Sequence, residues 1–177
     1  MKALLIVDLQ NDFLPGGALP APQGNQIIPV INQLMNQFSL VIASRDWHPK
    51  DTVHFNEWPV HCVAETKGAD FPERLDQSNI GKIVQKGTTN SDDGYSAFEA
   101  TKLNLDSYLK ENRVSELFIC GLTTEYCVKK TVLNALELGY ETVVVKNAVA
   151  GVQAQAGDEE KAWKEMKNSG AQLITFA

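Results

Sequence analysis

The chain has 177 residues, of which 44% are hydrophobic and 21% charged, with a formal net charge of -6. That supports one globular domain with a sizeable core and leaves too little chain for two. No basic patch is present to engage nucleic acid, and no apolar run reaches the length of a membrane span.

Strand and helix patterns alternate, which predicts βαβ units and a parallel sheet with helices on both faces. Met1–Val7 is apolar but stops at Asp8 with no small-residue cleavage site after it, so Ala3–Val7 reads as a buried strand rather than a signal peptide. With no export signal, the expected location is the cytoplasm, where the three Cys residues stay unpaired. Asp8-Leu-Gln-Asn-Asp-Phe13 and a Pro15-Gly-Gly loop come next. A helix from about Asn25 to Phe38 places Ile27, Ile28, Ile31, Leu34, Met35 and Phe38 on one face. Leu40–Ser44 is the second predicted strand. Arg45 to Asn79 is irregular, holds all three histidines, and is long enough to suggest a functional loop. Ile80–Lys86 forms the third strand, and a polar loop, Thr88–Ala97, leads to a helix at Leu105–Asn112. Leu117–Cys120 is the fourth strand. The turn Leu122-Thr123-Thr124 then opens a helix with Val128, Val132, Ala135 and Leu136 on its apolar face and Gly139 at its end. Glu141–Lys146 is the fifth strand, Asp158–Ser169 a helix and Gln172–Phe176 the last strand. No repeat or linker interrupts the pattern, so residues 1–177 read as a single domain.

Asp8, Lys86 and Cys127 each fall at the carboxyl end of a predicted parallel strand, on the edge where open α/β sheets carry their chemistry. Alone, each has an ordinary explanation: a turn Asp, a solvated Lys, a small buried Cys. Together they offer a nucleophile, a base to take its proton and a cation to stabilise both. Cys127 is expected in the first turn of a helix, where the free N–H groups should pull its thiol below the ordinary value of about 8.5.

Asp46 and His48 lie at i and i+2 of an extended stretch and so can reach one point; His54 and His61 add further donors. One carboxylate with imidazoles suits a divalent metal, Zn²⁺ first, with Fe²⁺ and Mn²⁺ as alternatives. Cys62 should face away from His61 and pack as a wall, and Cys120 should be core. Phe13, Trp47, Trp58 and Tyr95 lie in the same loops and would suit a flat aromatic ligand.

These residues recur as blocks: Val7-Asp-Leu-Gln-Asn-Asp-Phe13, Arg45-Asp-Trp-His-Pro49, Trp58-Pro-Val-His-Cys62, Gln85-Lys-Gly87, Tyr95-Ser-Ala-Phe98 and Gly121-Leu-Thr-Thr-Glu-Tyr-Cys127. In them the chain resembles the isochorismatase-like cysteine hydrolases, and within these the nicotinamidase/pyrazinamidase group. The resemblance implies a three-layer α/β/α fold with a six-stranded parallel sheet ordered 3-2-1-4-5-6. It implies a triad of Asp8, Lys86 and Cys127, with Asp46, His48 and His61 as metal ligands; His54 matches members that use this position as a further ligand. It also implies a cis peptide at Leu122–Thr123, an oxyanion hole from the N–H groups of Thr123 and Cys127, and Phe13, Trp58, Tyr95 and Leu122 around the substrate. The usual residue at position 123 is Ala, so Thr123 adds a hydroxyl. The implied activity is hydrolysis of a small aromatic amide, nicotinamide or pyrazinamide, in NAD salvage, with no nucleic-acid or membrane partner and a homo-oligomer left open. The alternatives are a carbamoyl or ureido amidohydrolase, against which the Asp46/His48/His61 cluster speaks, and a non-catalytic binding module, which has no need of the triad. A dinucleotide-binding domain would carry Gly-x-Gly-x-x-Gly after the first strand, and none is there.

Overall fold

A computed structural model describes residues 1–177. Six parallel strands form one sheet in the order β3-β2-β1-β4-β5-β6. They are β1 (Lys2–Val7), β2 (Val41–Asp46), β3 (Lys82–Lys86), β4 (Glu116–Leu122), β5 (Glu141–Ala150) and β6 (Gln172–Ile174). Four α-helices connect them: α1 (Gly24–Met35), α2 (Leu105–Glu111), α3 (Lys129–Glu137) and α4 (Asp158–Asn168). Successive side chains of a strand point to opposite faces, and Ala3 to Val7 are all buried, so both faces of the sheet are covered. This is the expected three-layer architecture. Each fully buried Leu or Ile in the central strands stabilises it by about 1.5–3 kcal/mol. No helix is long and apolar enough to cross a membrane.

Several boundaries shift by one to three residues from the sequence reading, and three differences have a clear cause. β5 runs four residues past Lys146, because exposed Lys146 and Asn147 bulge out and the strand then rejoins the ladder as Gly121 pairs with Val149. β6 stops at Ile174; beyond it, the Asn147 side chain takes over, donating to Phe176 O and accepting from Phe176 N, each at 2.9 Å. Between β4 and α3 the chain makes a π turn over Thr124–Val128, so Cys127 precedes the α-helix proper.

The long Arg45–Asn79 segment is tied to the residues that follow β1. Gln10 is buried; its Nε2 donates to Asp46 O at 2.8 Å and to Ala69 O at 2.9 Å, and its Oε1 accepts from Asp46 N at 2.8 Å. Asp12 accepts from Cys62 N at 2.7 Å. His48 bridges to Val63, with His48 N donating to Cys62 O and Ala64 N to His48 O. Two glycines allow the close approaches that follow. Gly121 has φ 113°, and a Cβ there would overlap the Val7 carbonyl; a Cβ on Gly87 would strike the His48 ring.

Gly121→Ala should therefore be costly. Positive-φ strain alone is worth about 1–3 kcal/mol, and each kcal/mol moves a domain of this size by about 2–4 °C, so strain alone lowers the melting temperature by at least about 2 °C in a thermal scan and the overlap with Val7 lowers it further.

Candidate active site

Because β1, β2, β3 and β4 run the same way, their carboxyl ends share one edge of the sheet. Asp8 follows β1 with φ 45°, a left-handed conformation that Asp tolerates better than most residues. Arg45 and Asp46, read from the sequence as the start of the irregular segment, are the last two residues of β2, and Asp46 pairs across the ladder with Lys86, the last of β3. Cys127 enters from the π turn after β4.

The four groups meet at the Lys86 ammonium. Lys86 is 0% exposed; its Nζ lies 2.7 Å from Asp8 Oδ2, 2.5 Å from Asp46 Oδ1 and 3.6 Å from Cys127 Sγ, and also donates to Gly94 O. Ser44 Oγ donates to the other Asp8 oxygen at 2.7 Å. Burial would lower the Lys86 pKa, but the Asp46 and Asp8 carboxylates lift it well above its ordinary value, so it is a fixed cation. The two acids respond differently. Burial lifts the Asp8 carboxyl to about 6 against the pull of Lys86, with Asp46 adding to the rise. Asp46 feels the same burial, yet Lys86 and His48 hold it well below the usual carboxylate range. One acid is poised to exchange a proton near neutrality and the other stays ionised.

Cys127 departs from expectation. Burial pushes its thiol well above the ordinary value and outweighs the pull of Lys86, while the Asp8 and Asp46 carboxylates push the same way. The favourable N–H groups at the start of the helix do not offset the loss of water, so the resting group is a neutral thiol. Cys62 and Cys120 are buried, unpaired and raised by burial, as wall and core residues should be.

Beside this cluster stand the three imidazoles. Every one has Nδ1 engaged: His48 with Gly87 O at 2.9 Å, His61 with Pro59 O at 2.7 Å and His54 with Asp92 Oδ1 at 2.7 Å. Nε2 is thereby left as the free nitrogen of each. His48 Nε2 is buried with no hydrogen-bond partner. Asp46 Oδ2 lies 3.5 Å from His48 Nε2 and 3.8 Å from His61 Nε2. Burial lowers the His61 pKa, which keeps its lone pair available. Ligand atoms of His48, His54 and His61 lie within 4.8 Å of one another. Imidazoles converging with a carboxylate, one Nε2 orphaned in a dry site, fit a divalent cation. Asp8, Asp46 and Cys127 make a second such group, but the Lys86 ammonium already sits among them.

A cavity of about 320 Å³ opens over Cys127. Phe13, Trp58 and Tyr95 line it, with His54, His61, Asp46 and Thr123. Leu122 does not: it is fully buried in the core behind the pocket, and its neighbour Thr123 takes the wall position. Trp47 is also outside the cavity, with the Arg45 guanidinium 3.8 Å above its ring. Tyr126, which the sequence reading missed, is a wall residue packed edge-on to Trp58 at 5.1 Å. Val152 and Ala154 cover another side, their loop held by Glu125, which accepts from Val152 N at 3.1 Å and Gln153 N at 2.8 Å. The Leu122–Thr123 bond is cis, and the Thr123 N–H donates to no protein acceptor.

Residues 2–177 match the isochorismatase domain model. The chain is 39% identical to a nicotinamidase of Escherichia coli, over 99% of this chain and 95% of that one. The zinc complex of a pyrazinamidase from Pyrococcus horikoshii superposes with a TM-score of 0.87 at 41% identity, covering 99% of each chain. The yeast nicotinamidase bound to the inhibitor nicotinaldehyde superposes with a TM-score of 0.91 at 29% identity, covering 99% of this chain and 100% of that one.

Lys86→Met keeps the bulk of the side chain and removes the charge, leaving two carboxylates buried together. The expected loss at pH 7 is about 3–5 kcal/mol by chemical denaturation. Both carboxyls would then have folded pKa values above their unfolded ones, so the penalty is absent in acid and grows as pH rises through those folded values. Wild-type stability at pH 7 would show that the ammonium is not what holds these acids together.

Proposed function

The chain belongs to the isochorismatase family, and we propose that it is a nicotinamidase that also accepts pyrazinamide, releasing the free acid and ammonia through a thioester on Cys127. What carries this reading is a single pocket lined by the Cys127 thiol and by His54 and His61 with free Nε2 atoms, with the buried Asp8 carboxylate, lifted to about 6, close to that thiol. A flat pyridine amide uses both halves, its ring nitrogen toward the imidazoles and its carboxamide toward Cys127.

Asp46, His48, His61 and His54 would hold the divalent ion; the nitrogen-rich set favours Zn²⁺, with Fe²⁺ and Mn²⁺ able to use the same donors. When bound, the ion supplies a Lewis-acid anchor for the ring nitrogen. The chain's own groups carry the remaining work. Phe13, Trp58 and Tyr95 flank the ring. Asp8 takes the Sγ proton as the sulfur adds to the carboxamide carbon, so the thiolate need not exist beforehand. Lys86 steadies the negative charge while it passes between sulfur and carboxylate. The carbonyl oxygen, now anionic, meets the N–H groups of Thr123 and Cys127; one such donor is typically worth about 10²–10³ in rate. Asp8 returns its proton to the nitrogen as the C–N bond breaks and ammonia leaves. Water, losing a proton to Asp8, adds to the thioester; the C–S bond breaks, the thiol regains its proton and the acid departs. A role in NAD salvage, in a cytoplasm that would keep the free cysteines reduced, goes with this reading.

Three outcomes are expected. Ammonia release from nicotinamide falls by more than about 10³-fold in Cys127→Ala, and near-normal turnover in that variant would sink the mechanism. Chelation raises KM for nicotinamide more than it lowers kcat, whereas an unchanged KM would remove the anchoring role of the metal. In a pH–rate study, kcat/KM falls as pH drops through about 6, because below that value Asp8 carries its own proton and cannot accept another; a profile flat across this range would take the base assignment away from Asp8.

A further inference from the structure

Of the three imidazoles, two have Nδ1 held by main-chain carbonyls, and only His54 has it held by a side chain, the Asp92 carboxylate. The same Asp92 oxygen accepts from Tyr95 Oη at 3.0 Å, and Tyr95 Oη in turn accepts from Trp58 Nε1 at 2.9 Å. One carboxylate oxygen therefore joins a metal-facing imidazole to two aromatic walls of the cavity. The loop that carries it is tied to the histidine loop at two further points, where Val53 N donates to Asn90 Oδ1 at 2.7 Å and Thr52 Oγ1 to Thr89 O at 3.4 Å.

We propose that Asp92 is a positioning residue that sets metal affinity and ring binding together. It keeps the His54 proton on Nδ1, so that Nε2 is the donor toward the ion, and it fixes the Tyr95–Trp58 pair against the ring slot. This rests on the nicotinamidase reading for the ring, and on the donor set alone for the metal. A carboxylate accepting from the far nitrogen of a ligating His fixes its tautomer and makes the imidazole more basic, and losing such a partner commonly costs about 10–100-fold in metal affinity. Asp92 is 47% exposed, so it is held by these hydrogen bonds rather than by packing, and replacing it should leave the fold intact.

The test uses the whole chain stripped of metal and titrated with zinc by calorimetry, together with nitrogen-15 NMR of the imidazoles. Asp92→Ala should bind zinc about 10–100-fold more weakly, give a mixed His54 tautomer and raise KM for nicotinamide at limiting zinc, with an unchanged melting temperature in the metal-free form. Asp92→Asn keeps the acceptor oxygen without the charge and should fall between. Tyr95→Phe should raise KM while leaving zinc affinity as in wild type, which separates the two arms of Asp92. Wild-type zinc affinity with a single Nδ1–H tautomer in Asp92→Ala overturns the proposal; should that variant fail to fold, the same result in Asp92→Asn overturns it. If the wild-type protein hydrolyses no nicotinamide, the assigned activity fails, while the zinc and NMR readouts still decide the role of Asp92.

Discussion

A lysine ammonium cut off from water is stable only if anionic groups surround it, and everything at the carboxyl edge of this sheet is arranged around that demand. Lys86 meets Asp8 from β1 and Asp46 from β2, and draws in Gly94 O and Cys127 Sγ. The strand order makes this possible, since β3, β2 and β1 are neighbours whose ends arrive side by side. Asp46 then faces two ways. One oxygen answers the lysine and the other looks toward His48 and His61. The lysine-centred cluster and the imidazole cluster are thus a single charge network with a shared carboxylate, and Gln10, gripping the Asp46 backbone from both sides, keeps the shared member in place.

The neutral thiol fits this network. A free thiolate beside two carboxylates in a dry cavity would be poorly tolerated, and the burial that raises Cys127 is the same burial that brings Asp8 to about 6. In the proposed mechanism, nucleophile and base are thus tuned by a common cause. On the same reading the proton passes between neighbouring groups and moves when a substrate carbon is there to receive the electron pair. Burial, by raising the thiol, also makes the sulfur less open to oxidation.

Much of this was legible from the residues, for identifiable reasons. Alternating apolar strands and amphipathic helices specify a parallel sheet, and a polar residue at the end of an apolar run marks the active edge; Asp8 and Lys86 are visible in that way. Three histidines within fourteen positions in a chain that has no others are visible by their clustering. What escaped depends on distance in sequence or on solvent. Gln10 meets Asp46 and Ala69 through side-chain bonds that no local pattern announces. Asp92 lies 38 residues from His54, in a polar loop that reads as solvated. Tyr126 was overshadowed by the cysteine next to it. The extent of β5 was hidden by Lys146 and Asn147, which break an apolar run at a bulge rather than at a strand end. Leu122 was placed on the substrate side because its neighbours are, although its side chain turns into the core. The thiol was misjudged because position at a helix start was weighed without the dehydration that accompanies it.

Zinc has a strong liking for thiolates, and the best sulfur ligand available to it in this cavity is the nucleophile itself. Asp8, Asp46 and Cys127 hold donor atoms close enough together to chelate an ion. They do not present an empty nest, because a positive charge covalently attached to β3 already fills it. Lys86 thus acts as a resident decoy: any mobile cation must displace an ammonium that cannot diffuse away, while the imidazoles next door offer lone pairs at no such cost.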